Sequence, residues 1–123
     1  MSTVVSTKDT SDCSIRLCDA GFNNHLAACG LMGTVIRRNW EIENLSNHDS
    51  RTDKVTLVGP LCTSIDLIAS DIVLPETNTG DILAIHNSGA YGYSASPINF
   101  ISHPAPAEIL IKNSALLDIS GQP

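Results

Sequence analysis

The sequence is poor in aromatic residues, with one Trp, two Tyr and two Phe in 123 residues. Its core must therefore rest on Ile, Leu, Val and Ala. Positive charge is also scarce. Seven Lys and Arg against thirteen Asp and Glu leave a net charge of −6, which argues against a nucleic-acid or anionic-membrane partner. No apolar run approaches the roughly 20 residues of a membrane-spanning helix. Met1–Asp12 is polar and lacks the apolar centre of a secretory leader. The four cysteines, Cys13, Cys18, Cys29 and Cys62, include no Cys-x-x-Cys pair, so no metal site is expected. Without an export signal their thiols are expected to be reduced, in the cytoplasm.

What is present is a series of short apolar stretches broken by turn residues. A chain of this length makes one domain with one core, residues 1–123. Val4-Val5 in Ser2–Thr7 reads as the end of a strand. Ser14–Asp19 alternates polar and apolar, the pattern of a half-buried strand. Ala20–Gly33 is bounded closely by glycines and reads as a loop or single turn. Thr34–Trp40 reads as a strand, in which Arg37 and Arg38 point to opposite faces, so at most one of them faces a site. Glu41–Asp53 is polar and reads as an exposed loop, with His48 solvated and Leu45 pinned to the core. Lys54–Val58, Asp71–Pro75, Asp81–His86, Glu108–Lys112 and Leu116–Ile119 read as further strands. Pro97, Pro104 and Pro106 keep Ser94–Ala107 irregular. Many short strands at close spacing predict an all-β barrel or sandwich, mostly antiparallel.

Two stretches carry candidate chemistry. In Val58–Asp66, Gly59 and Pro60 force a bend before Cys62. Thr63-Ser64-Ile65-Asp66 has the spacing of a helix N-terminal box, with Ile65 and Ile68 pointing inward. A thiol at a helix start feels the positive end of the dipole, which favours its thiolate. The plainer alternative is that Cys62 is a small buried hydrophobe. In Asn87–Pro97, Gly89 and Gly92 flank Tyr91 just after an apolar strand. The glycines let a backbone come close to something small, and the Tyr91 hydroxyl can meet a phosphate or carboxylate. The alternative there is a tight turn with a packed tyrosine.

Together, Gly-Pro-Leu-Cys-Thr-Ser-Ile-Asp (59–66), Gly-Asp (80–81) and Ser-Gly-Ala-Tyr-Gly (88–92) resemble the C-terminal domain of the fold-type III pyridoxal-phosphate decarboxylases, which include the diaminopimelate and ornithine decarboxylases. Asp19-Ala20-Gly21-Phe22-Asn23 is similar to that family's Asp-Ala-Gly-Met-Asn segment. Asn23–Ala28 and Ser102–Glu108 look closer to a subgroup from biosynthetic clusters, some members of which act on amino-acyl groups tethered to carrier proteins. The resemblance covers nearly the whole chain.

It implies a β-barrel domain that works beside a larger (β/α) barrel holding the cofactor lysine. Lys8, Lys54 and Lys112 match no such motif, so the (β/α) barrel is absent from this sequence and the chain alone is expected to be inactive. Pyridoxal phosphate is expected only with a partner barrel domain or subunit, in a dimer or other homo- or hetero-oligomer, with a carrier protein as a further partner. On the same resemblance Cys62 delivers a proton after carbon dioxide leaves, as a general acid. Tyr91, with Gly89, touches the cofactor. Asp19 helps bind the substrate's distal amine, or else caps the turn before Gly21.

Two departures bear on substrate. Thr63 stands where members acting on diamino acids carry an acidic residue. Ala27 stands where diaminopimelate enzymes carry an Arg for the distal carboxylate. A tethered or modified amino acid is therefore the expected substrate. Two rival readings are a non-catalytic binding or assembly module derived from the same domain, and a thiol enzyme pairing Cys62 with His25, His86 or His103, for which no sequence feature places a histidine beside the thiol.

Overall fold

The computed structural model describes residues 1–33 and 38–121. Eight strands account for most of its regular structure: β1 Ser2–Asp9, β2 Ser14–Cys18, β3 Ile42–Asn44, β4 Thr52–Val58, β5 Leu67–Pro75, β6 Ile82–Ile85, β7 Ile109–Lys112 and β8 Ala115–Asp118. Two single helical turns interrupt them, α1 Gly30–Gly33 and α2 Tyr91–Ser94. No helix among the described residues is long and apolar enough to cross a membrane.

The first six strands form one sheet in the order β3-β6-β1-β2-β4-β5. All its pairs are antiparallel except β2 with β4. The sheet curls until β3 and β5, at the two ends of the order, lie against each other, so it is a nearly closed barrel. The expected all-β, mostly antiparallel fold is what the chain adopts. Bulges between Val4 and Ser6 on β1 and between Val55 and Leu57 on β4 supply the bending that curvature needs.

Side chains close the remaining seam. Asn44 on β3 donates through Nδ2 to Thr77 Oγ1 (3.2 Å), and that hydroxyl donates to the carbonyl of Pro75 at the end of β5 (2.6 Å). Buried Arg16 donates through Nε to the Thr77 carbonyl (2.6 Å) and pairs with Asp9 at 2.6 Å. Asn44, Thr77 and Arg16 are buried and each finds a partner, as burial of polar groups requires, while Asp9 is exposed.

Inside the barrel, Val4, Cys18, Val55, Leu57, Ile68, Leu74 and Leu83 point inward from alternating positions. Fully burying such an aliphatic side chain is worth about 1.5–3 kcal/mol each. The two phenylalanines meet at the barrel's end, with the Phe22 and Phe100 rings 4.9 Å apart and edge to face. The β7–β8 hairpin stands apart from this core. Ile109, Ile111 and Leu116 lie on one face of it and Leu110 and Leu117 on the other, all at least 45% exposed.

Several expectations need correction. Thr63–Asp66 is a turn and not the start of a helix; Ile65 is exposed, while Ile68 is buried in β5. Within Glu41–Asp53 lies β3, with Ile42 and Asn44 buried because they face β6 and the seam. Leu45 follows that strand on its outer side and is exposed, so it pins nothing. The strand expected over Thr34–Trp40, with Arg37, lies outside the described residues at 34–37, and Arg38–Trp40 is irregular.

Candidate active-site surface

Three loops at one end of the barrel carry the motif residues, and the turn over Gly21–Cys29 touches both of the others. This turn is built by its own backbone, with Asn24 N–H and His25 N–H both donating to the Gly21 carbonyl (2.9 and 3.1 Å). His25 Nδ1 accepts from Ala28 N–H (3.1 Å) and closes the next turn.

The first link runs to the Cys62 loop through Asp66. Its Oδ1 accepts from Phe22 N–H (2.8 Å) and its Oδ2 from Leu61 N–H (2.8 Å), while its backbone carbonyl accepts from Gly59 N–H (2.9 Å). Asp66 is buried, and a Cβ on either Gly21 or Gly59 would overlap its carboxylate. Both positions therefore require glycine for space. Asp66 explains why no helix starts here, since the carboxylate that would cap a first turn is spent on two loops. Cys62 rides on this turn with its thiol exposed and no helix dipole behind it. Neighbouring Thr63 is half-buried, and its hydroxyl accepts from Ile65 N–H (3.4 Å).

The second link runs to α2. Leu26 N–H donates to Ser96 Oγ (2.9 Å), which in turn donates to the Gly92 carbonyl (2.6 Å). Tyr91 opens α2 and is 76% exposed, so it is not the packed tyrosine of the plainer reading. Gly89 just before it has a left-handed backbone (φ 62), and nothing lies within 4 Å of where its Cβ would stand. The Tyr91 phenol is thus exposed beside an open stretch of backbone, where its hydroxyl can meet an anion.

Asp19 occupies a different position. It lines a cleft of about 460 Å³ with Met1, Asn24, Pro104, Pro106 and Ile109, a lining that includes neither Cys62 nor Tyr91. Its Oδ1 accepts from Ser2 Oγ and Thr3 N–H, both at 2.7 Å, so it braces β1 rather than capping the turn at Gly21. Burial works to raise its carboxyl, but the bonds from Thr3 and Ser2 outweigh that and hold it below the usual carboxylate range. Of the other candidate groups, His86 pairs with Glu43 (2.9 Å) on the barrel side, and His103 follows the short turn Phe100–Ser102. None of the described histidines is shown beside the Cys62 thiol. No group of three or more His, Cys, Asp or Glu among the described residues is arranged to hold a metal ion. The residue that sequence reasoning missed is Asp66 as the link between loops; two glycines 38 positions apart with no turn type in common were its only signal.

The family described as the C-terminal sheet domain of pyridoxal-dependent decarboxylases matches residues 1–89. The chain belongs to this family. Among curated family members, it is 41% identical over 101 residues to the decarboxylase of L-glutamyl-BtrI acyl-carrier protein from Niallia circulans, covering 79% of this chain and 23% of that one. It is 47% identical over 64 residues to the diaminopimelate decarboxylase of Methanothermobacter thermautotrophicus, covering 52% of this chain and 15% of that one. Its fold overlays the crystal structure of diaminopimelate decarboxylase from M. jannaschii with a TM-score of 0.83 at 26% identity, covering 96% of this chain and 26% of that one. The chain thus spans about a quarter or less of the length of these decarboxylases, in which the domain follows a barrel domain.

Proposed function

We propose that this chain is the sheet part of a pyridoxal-phosphate-dependent amino-acid decarboxylase and contributes Cys62 and Tyr91 to an active site completed by a (β/α) barrel domain or subunit. The observation that carries the reading is the display of both side chains, exposed, on loops that the Gly21–Cys29 turn ties together. A thiol and a phenol held at the surface by a buried scaffold serve something that docks on them. The described lysines support the need for a partner. Lys8, Lys54 and Lys112 sit on β1, β4 and β7, none on the three loops, and Lys54 pairs with Asp71 (3.3 Å).

Bound pyridoxal phosphate supplies the electron sink that makes loss of carbon dioxide from an amino acid feasible. The work of this chain is positioning and proton control. Tyr91 Oη would hold the phosphate by donating to it, and the open backbone at Gly89 would let that group approach closely. Cys62 Sγ carries the proton that replaces the lost carboxylate, acting as general acid. Thr63, whose hydroxyl is taken up in its own turn, brings no charge to read a distal ammonium.

That missing charge favours a carrier-tethered amino acid over a free diamino acid, as does the similarity to a decarboxylase named for a carrier-bound glutamyl group. The site then forms at an interface between subunits, in the cytoplasm. Turnover of free lysine, ornithine and diaminopimelate, compared with a carrier-bound amino acid and with the barrel partner present, tests the substrate. Efficient use of a free diamino acid would sink the tethered-substrate reading. The rival is a non-catalytic assembly module, for which Cys62→Ala discriminates: a catalytic thiol predicts a large loss of turnover, or a changed product, with assembly intact.

A further inference from the structure

The β7–β8 hairpin is a fully formed element. Its cross-strand pairs run in unbroken register from Ile109 with Asp118 to Lys112 with Ala115. Asn113 and Ser114 at its tip both have left-handed backbone (φ 49 and 64), the two-residue turn whose twist matches that of the strands. At its base Ile119 N–H donates to the Glu108 carbonyl (2.9 Å), and Glu108 N–H donates to Ser120 Oγ (2.9 Å).

Its surface does not match its isolation. The hairpin is a sheet of its own among the described residues, and every residue of both strands is exposed. Ile109, Ile111 and Leu116 share one face, and Leu110 and Leu117 share the other. Ile111 and Leu116 stand opposite each other, each 71% exposed. Antiparallel strands with one wet side alternate apolar with polar residues, whereas these are apolar on both sides. A two-stranded hairpin with no layer against it is also marginal in water. Both faces therefore call for cover.

Three features of the molecule point to the same cover. The overlay on the M. jannaschii decarboxylase takes in 96% of this chain, too much to leave the hairpin out, but 26% of that one. The hairpin thus belongs to a fold shared with chains most of whose length lies outside it. Ile109 also lines the cleft that holds Asn24. Asn24 belongs to the turn that ties the Cys62 and Tyr91 loops together, so the apolar face runs on into the candidate site, and a body seated on the hairpin reaches those loops too. A second copy of this chain is disfavoured by charge, since two copies at −6 each repel.

We infer that the β7–β8 hairpin is a docking element for the (β/α) barrel, which packs on both of its faces. This rests on the reading of the chain as the sheet part of a decarboxylase.

Hydroxyl-radical footprinting of the complete decarboxylase, sheet chain and barrel together, reads side-chain cover directly. Ile109, Leu110, Ile111, Leu116 and Leu117 are expected to be oxidised about tenfold less than in the denatured protein, near the level of core Leu57 and Leu83, because interface cores pack like protein interiors. The double variant Ile111→Lys, Leu116→Glu exchanges one apolar cross-strand pair for an opposite-charge pair, which keeps the register and removes the apolar face. In it, oxidation of Leu110 and Leu117 on the other face should rise several-fold while Leu57 and Leu83 stay protected. Free oxidation of either face in the unchanged complete enzyme would overturn the docking surface, as would unchanged protection of Leu110 and Leu117 in the variant. Protection that disappears on dilution to single copies, with the barrel still attached, would assign the cover to a second copy and overturn it as well. A source protein without any barrel, seen by intact mass, would instead sink the functional reading on which the docking surface rests.

Discussion

The carboxylate of Asp66 accepts a hydrogen bond from the backbone of Phe22, 44 residues away, at 2.8 Å. With the bond from Leu61 N–H, this joins the loop that carries Cys62 to the turn that supports α2. Replacing Asp66 by Asn turns one of its two buried acceptors into a donor facing an N–H. A loss of about 2 kcal/mol is expected, since a buried group left unpaired costs on the order of 1–3 kcal/mol. Gly59→Ala should destabilise comparably, because its Cβ meets the same carboxylate. In an Asp66→Ala background Gly59→Ala should cost much less, because the clash is gone. Urea denaturation of Asp66→Asn, Gly59→Ala, Asp66→Ala and the Gly59→Ala, Asp66→Ala double variant measures these effects; strict additivity of Gly59→Ala and Asp66→Ala would contradict this account.

Cysteine reactivity should divide by position. Cys13 and Cys62 are exposed, while Cys18 and Cys29 are buried. Burial pushes the Cys18 thiol up to about 12, with Asp19 and Asp66 adding to the effect. Mass mapping after brief iodoacetamide treatment at pH 8 should find label on Cys13 and Cys62 and none on Cys18. Early label on Cys18 would mean that the β1–β2 face opens in solution.

Acid should destabilise the barrel in a defined window. Bonds from Thr3 and Ser2 depress Asp19 against the opposing effect of its burial, and the Arg16 bond, helped by Ser14, depresses Asp9. A carboxyl whose folded pKa is depressed takes up its proton more readily when the chain unfolds, so its contribution is present above the unfolded pKa and lost as pH falls through the folded value. Melting temperature should therefore hold down to about pH 4 and drop below it. Asp19→Asn should flatten that drop, and an unchanged profile in the variant would contradict the assignment.

At the site itself, Cys62→Ala and Tyr91→Phe should separate. With a barrel partner present, loss of the thiol is expected to lower turnover by at least about a hundredfold, the scale of a general acid, with cofactor retained. Loss of the Tyr91 hydroxyl is expected to weaken cofactor retention first. Carbon dioxide release and pyridoxal phosphate content after gel filtration give the two readings. Equal effects of both variants on cofactor content would contradict the separate roles.

The strands were largely legible because β1, β2 and β4 alternate side chains between a wet and a dry face, and the turn residues between strands are strong stops. What misled was chemistry with two local readings. Thr63-x-x-Asp66 has the spacing of a helix cap, but the buried carboxylate serves Phe22, a partner that local spacing does not reveal. Ile42 and Asn44 were hidden in a polar run because a three-residue strand shows too little alternation to stand out, and Asn44 is buried for the sake of the seam. Asp19 was legible as important but not as a brace, since Ser2 and Thr3 lie on the neighbouring strand.

The most direct test of the central claim is the intact mass of what carries or accompanies this chain when it is isolated from its source, measured together with pyridoxal phosphate content. The account predicts a (β/α) barrel, either in the same polypeptide or as a co-purifying larger chain, with bound cofactor. The short chain alone, free of cofactor and with no barrel attached, would contradict it and favour the non-catalytic module.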